Sequence, residues 1–218
     1  MRNGLSSVLF IVVIVLASLS AHSQDIYRAG YLVKSAGDTL RGVIDVRSLQ
    51  NANENVRLKS SLEASETARI PYRECESAFI TEDQSRYLFV SVTRDLTFID
   101  PIELSIQLQD SLSTEKVPLR VLHQGKKLTL FHLYDRRDHF FVDDRLGVQE
   151  LLQRYRYLTE WQKRQYVTRP SPLFQIVQVY LDQMKQFYDF DDNPRQNRIL
   201  QTTLYNERSM LRLFRSID

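Results

Sequence analysis

Apolar and polar residues alternate in short runs from Ile26 to about Asp144, and the period becomes helical after Gly147. The first two runs, 31–34 and 39–46, flank Ser35-Ala36-Gly37-Asp38, which predicts a strand, a tight turn and a strand. Gly37 supplies the positive φ that such a turn needs. Along the second run Leu40, Gly42, Ile44 and Val46 form a largely apolar side, with Arg41, Val43 and Asp45 opposite. Gly42 inside a strand signals a bulge or the close approach of another backbone. Further strands are expected over 56–60, 68–72, 77–81, 87–94, 104–109, 116–123, 127–134 and 139–143. Turns fall at Gly125 and at Asp135-Arg136-Arg137-Asp138. Short strands at regular spacing, with no helical pattern between them, predict an antiparallel meander folded as a sandwich or open barrel.

Ser171-Pro172 then joins an N-cap residue to a proline at the first helical position. Leu173, Ile176, Val177, Tyr180, Leu181, Met184, Phe187 and Tyr188 follow at helical spacing. Asn193-Pro194 repeats the start signal. Ile199, Leu200, Thr203 and Leu204, then Met210, Leu211 and Phe214, make a second stripe with a break near Asn206. The expected fold class is therefore α+β, an antiparallel β meander followed by a C-terminal helical hairpin. The stretch 148–167 reads both ways. Val148, Leu151, Leu152 and Tyr155 are spaced as on a helix, whereas 154–158 alternates like a strand.

The N-terminus carries a third pattern. Arg2 precedes a strictly apolar run over 8–17, and Ala21-His22-Ser23 places small residues at −3 and −1 before Gln24. A membrane-spanning helix needs about 20 predominantly apolar residues. This run is half that, and Ser18, Ser20, His22 and Ser23 follow it. The expectation is a signal peptide over 1–23, cleaved near Ser23-Gln24, with an uncleaved anchor as the competing reading. The mature chain then reaches the periplasm, the outer membrane or the exterior. It divides into an antiparallel β domain over 24–146 and a helical region over 147–218 that packs on or beside the sheet. A lipid anchor would need a cysteine at the cleavage point, and the single cysteine is Cys75.

Composition narrows the function classes. The 218 residues include 29 Lys and Arg against 27 Asp and Glu, a net charge of +2 that falls by one when Arg2 is removed. Such a balance gives no general electrostatic case for nucleic acid or an anionic membrane. With 6 Gly and 6 Pro, extensive low-complexity disorder is not expected. One cysteine cannot form an internal disulfide. Flanked by Glu74 and Glu76, whose charge disfavours a thiolate, Cys75 is expected to be buried and structural.

Three segments carry a resemblance. They are Gly30-Tyr31-Leu32-Val33 with Gly37-Asp38-Thr39-Leu40-Arg41-Gly42-Val43-Ile44, the hairpin from Gln124-Gly125-Lys126 to Leu133-Tyr134, and the ending with Tyr205, Ser209, Met210, Leu211, Leu213 and Phe214. Together they resemble a family of uncharacterised exported proteins common in Bacteroidota, with a GYxV…GDTxxGxI hairpin after the signal peptide. Many relatives also have a cysteine-proline pair in the helical region, which this chain lacks. The resemblance implies a Gram-negative envelope setting and a small β domain with C-terminal helices, and no known activity.

Signatures of familiar chemistry are missing. The chain has no G-x-S-x-G elbow, H-E-x-x-H, CxxC pair, P-loop or G-x-G-x-x-G. His123, His132 and His139 remain after cleavage. A four-residue loop over 135–138 would pair Tyr134 with His139 and His132 with Phe141. His132 and His139 would then share a face as diagonal neighbours about 7–8 Å apart. An acid from another strand could complete a metal or hydrolytic site with them. The plainer reading is two hairpin histidines. Asp143-Asp144 and the group Asp189, Asp191 and Asp192 offer paired acids, which serve glycosidases when about 5–9 Å apart. The plainer reading is a solvated loop or a weak calcium contact. The stretch 154–169 interleaves basic residues with Tyr155, Tyr157, Trp161 and Tyr166. Arg154, Arg156, Trp161 and Arg164 are its candidate partner-binding residues, with Trp161 as anchor. Their arginine stems could instead cover apolar surface between sheet and helices.

The expectation is a non-catalytic binding or assembly module of the envelope, with no cofactor. Its partner would be an envelope protein, a glycan or a membrane-associated molecule, and nucleic acid is not expected. The alternative is an exported hydrolase built from scattered acids and the His132/His139 pair.

Overall fold

The computed structural model describes residues 27–50, 54–97, 111–159 and 174–218. The expected signal peptide over 1–23, the expected strand over 104–109, and Trp161 and Arg164 lie outside the described residues. The chain is mainly antiparallel sheet followed by three helices, so the expected α+β class holds, with the sheet left open. It divides into two compact units after Tyr87.

The first unit contains β1 (Tyr27–Lys34), β2 (Thr39–Asp45), a single turn α1 (Arg47–Gln50), β3 (Asn55–Lys59), β4 (Ala68–Pro71) and β5 (Cys75–Ile80). Their order is β5-β1-β2-β3-β4. Gly37 turns the first hairpin at φ 91°, and Lys34 and Asp38 close it through a 2.8 Å backbone bond. Gly30 and Gly42 are register partners in an unshifted β1–β2 ladder. A Cβ on Gly42 would lie 2.1 Å from the Lys59 carbonyl oxygen, and one on Gly30 would lie 2.3 Å from that of Phe79. Of the two sequence readings of Gly42, close backbone approach is the correct one.

The exit from β2 explains why a carboxylate is buried there. Asp45 accepts from the Arg47 N–H at 3.0 Å. The Ser48 hydroxyl donates to the Asp45 carbonyl at 2.6 Å and accepts from the Arg57 N–H at 3.1 Å. Leu32, Ile44, Leu49, Val56, Ile70 and Ile80 form the apolar centre of this unit. Cys75 is fully buried, as expected, with its thiol 3.3 Å from the Pro71 carbonyl oxygen.

The second unit takes up β6 (Ser85–Asp95), which begins just before the division, and adds β7 (Leu112–Gln124), β8 (Thr129–Asp135), β9 (Arg137–Asp143) and β10 (Val148–Leu151) in the order β10-β9-β8-β7-β6. A two-stranded ribbon follows, β11 (Arg154–Tyr157) with β12 (Phe174–Val177). Then come α2 (Val179–Phe187), α3 (Pro194–Gln201) and α4 (Glu207–Ile217). Leu130, Phe140, Val142 and Leu151 on one sheet face pack with Tyr180, Met184, Leu200, Met210, Leu213 and Phe214 from the helices. The intervening residues Phe131, Leu133 and Phe141 point to the opposite face and are also buried. Burial pushes the Tyr180 phenol up to about 12, and its hydroxyl donates to the Thr203 carbonyl at 2.6 Å.

Three expectations are refined here. The ambiguous stretch contains strands over Val148–Leu151 and Arg154–Tyr157. The helix read from Ser171-Pro172 begins only at Val179, because Phe174–Val177 pairs with β11, Tyr155 opposite Ile176. Ile176 therefore leaves the helical stripe and stands 47% exposed. The helical hairpin is three short helices, and its break near Asn206 is an N-cap. The Asn206 side chain accepts from the Ser209 N–H at 2.9 Å, as Asn193 does from the Gln196 N–H at 3.3 Å.

Candidate functional site: a fork between strands 9 and 10

The β8–β9 hairpin decides what its histidines can do. Arg136 alone, at φ 59°, separates Asp135 from Arg137. Tyr134 therefore pairs with Asp138, Leu133 with His139, and His132 with Phe140. This corrects the expected pairing by one residue, and a slip of one sends a side chain to the other face. His132 and His139 lie on opposite faces and form no common site.

Each histidine has its own partners. The His132 ring sits 5.0 Å from Phe140, and its Nε2–H donates to Asp138 Oδ1 at 2.8 Å. Its Nδ1 faces Arg120 Nη2 at 3.4 Å, and that guanidinium also pairs with Glu207. The bond from His132 is the largest cause holding the Asp138 carboxyl below its usual range. On the other face His139 Nδ1–H donates to Glu150 Oε1 at 2.6 Å. Its Nε2 accepts from Arg137 Nε at 3.4 Å. These partners fix the tautomers assigned to both rings.

A buried network continues from Glu150. Its Oε2 accepts from the Asp95 N–H at 2.6 Å. Asp95 Oδ2 accepts from Arg154 Nε at 2.8 Å, and the Asp95 carbonyl accepts from Arg137. Burial alone would raise the Asp95 carboxyl. Bonds from the Thr97 hydroxyl and N–H, with the Arg154 charge, outweigh it and hold the group low. Nearby Arg94, also buried, donates to Glu115 and to Asp135 at 2.9 Å. Burial opposes its charge, but the two carboxylates prevail and raise its pKa.

The sheet forks beside this network. Strand β10 accompanies β9 only as far as the Leu151–Phe140 pair, so residues 137–139 have β8 on one side and no β10 partner on the other. The Tyr205 hydroxyl occupies the fork. It accepts from the Phe140 N–H at 3.3 Å and donates to the Leu151 carbonyl. Burial drives this phenol far above its ordinary value. Here a cleft of about 300 Å³ is lined by Tyr134, Arg136, Arg137, Asp138, Gln153 and Tyr155, together with Glu150 and Tyr205. Tyr134 is 48% exposed. Arg136 is exposed and has no ion-pair partner among the described residues.

The residues singled out from sequence are dispersed. Arg154 is engaged by Asp95, and Arg156 donates to Gln175 Oε1 at 3.2 and 2.9 Å across the ribbon. Trp161 and Arg164 fall outside the described residues. Asp143 and Asp144 serve the next turn, accepting from the Arg145 N–H at 2.8 Å and the Leu146 N–H at 3.0 Å. Asp189 accepts from the Asp191 N–H at 3.0 Å. Among the described residues no three His, Cys, Asp or Glu side chains converge as a metal-binding set. Sequence reasoning missed Arg136, Gln153 and Tyr134. The one signal available was the run of charges at the tip of the β8–β9 hairpin. Comparison with known proteins finds no matching family model, no similar curated protein and no similar solved structure.

Proposed function

We propose that the mature chain is a non-catalytic binding or assembly module of an exported envelope protein. The observation that carries this reading is that both ring nitrogens of His132 and of His139 are engaged by neighbouring side chains. General-base chemistry needs a ring nitrogen within reach of the substrate's proton. The two rings also lie on opposite faces, which removes support from the hydrolase alternative. Export rests on the N-terminal pattern, and kinship with exported Bacteroidota proteins rests on the three segments quoted above.

The test is to offer purified mature protein a panel of ester, glycoside, phosphate and peptide substrates. No turnover is expected. Turnover abolished by a single substitution at His132 or His139 would overturn the reading. N-terminal sequencing of exported material should begin at Gln24 or Asp25, and an intact leader would refute cleavage.

A further inference from the structure

We propose that the cleft at the fork binds one acidic sugar residue, its carboxylate on Arg136 and its ring against Tyr134 and Tyr155. The inference rests on the binding-module reading and names its ligand class. The cleft exists because strand pairing stops at Leu151–Phe140 while the chain turns away through Leu152 and Gln153. At about 300 Å³ it stands at the lower end of small-ligand cavities, which run from about 300 to 1,000 Å³. That is room for one pyranose ring, with the rest of a glycan left in solvent.

The lining groups divide by what they already do. Asp138 accepts from His132, and Glu150 accepts from His139 and the Asp95 amide. Arg137 donates to His139 and the Asp95 carbonyl. Gln153 Oε1 accepts from the Tyr155 hydroxyl at 3.1 Å, which leaves its NH2 to donate. Arg136 is held in the left-handed region at φ 59°, where a glycine would sit without strain, so the turn keeps a cation at the rim at some conformational cost. A phosphate would bring about two negative charges towards Asp138 and Glu150. A single carboxylate on a polyol suits the mixture better. Its hydroxyls meet Gln153 and Asp138, and its C–H faces meet the tyrosine rings.

Calorimetric titration of the mature protein with a glucuronic-acid-terminated disaccharide tests this, alongside the glucose-terminated analogue and inorganic phosphate. Saturable binding of the acidic disaccharide is expected, about tenfold tighter than the neutral one. Arg136→Gln and Tyr134→Ala, both at exposed positions, should each weaken it about fivefold or more while the unfolding midpoint stays put. Absence of saturable binding overturns the site and leaves the non-catalytic reading standing. Equal affinity for phosphate or for the neutral sugar, or indifference to both substitutions, overturns the assignment as well. Cleavage of the disaccharide supports the cleft but sinks the non-catalytic reading.

Discussion

Replacing Glu150 with glutamine probes whether the buried network stabilises the second unit. The Glu150 side chain is 5% exposed. Its two oxygens each accept one N–H, from His139 Nδ1 and from the Asp95 backbone, both at 2.6 Å. A glutamine keeps the shape but offers one oxygen. Its NH2 then meets whichever N–H remains, donor against donor. One charge-assisted bond worth about 1.5–3 kcal/mol is lost, and a buried donor costing about 1–3 kcal/mol is stranded. Relief from burying the carboxylate offsets part of this, so the expected net loss is about 3 kcal/mol. With a urea m-value of about 2 kcal/mol/M, the midpoint should fall by about 1.5 M. Urea unfolding followed by far-UV circular dichroism measures it directly. A cycle with His139→Phe should show coupling of at least about 1 kcal/mol. A loss below about 1 kcal/mol, or a gain, would show that the charge is dispensable and refute the reasoning.

Acid titration follows the same network. Asp95 is held below its usual range when folded, so its stabilisation is complete above the unfolded value of about 4 and lost as pH falls through the folded one. Wild-type urea midpoints should drop below about pH 4, and Asp95→Asn should start lower but change less over that window; parallel curves would contradict this. Gly42→Ala drives a Cβ to 2.1 Å from a backbone oxygen and should cost about 3 kcal/mol or prevent folding. Gly37→Ala, with nothing within 4 Å but φ at 91°, should cost only about 1–2 kcal/mol in the same denaturation assay. Tyr205→Phe removes the hydroxyl bridging Phe140 and Leu151. It should cost about 1–2 kcal/mol and speed hydrogen exchange at the Phe140 amide, and unchanged exchange would rule the bridge out.

Strand positions were legible because turn residues and period-two alternation act locally. The glycine turn at Gly37, the turn at Gly125 and the helix start at Asn193-Pro194 all fall where the sequence places them. Register was not legible. Left-handed turn positions normally carry Gly, Asn or Asp, so Arg136 in that conformation gives no cue to a one-residue turn. That single residue decides whether His132 and His139 share a face. The late start of α2 has a different cause. Leu173, Ile176, Val177 and Tyr180 fit helical spacing, and pairing of Phe174–Val177 with β11 prevails over it. The cleft was invisible for a third reason. Tyr205 comes from the link between α3 and α4, Gln153 from beyond β10 and Arg136 from a hairpin tip, and no local pattern joins them.

Two-sided burial of β8 and β9 explains why their histidines are paired with acids. Leu130, Phe140 and Val142 are buried on one face, and Phe131, Leu133 and Phe141 on the other. A polar side chain placed on either face must then be paired, because an unsatisfied buried group costs on the order of 1–3 kcal/mol. His132 with Asp138, and His139 with Glu150, meet that requirement one face at a time. Each of these acids thus compensates for burying the histidine beside it. The requirement lapses where the ladder stops. At the hairpin tip and beyond the end of β10, Arg136 and Gln153 line the cleft. The end of strand pairing leaves polar groups to spare beside a cleft, and a ligand should be sought there.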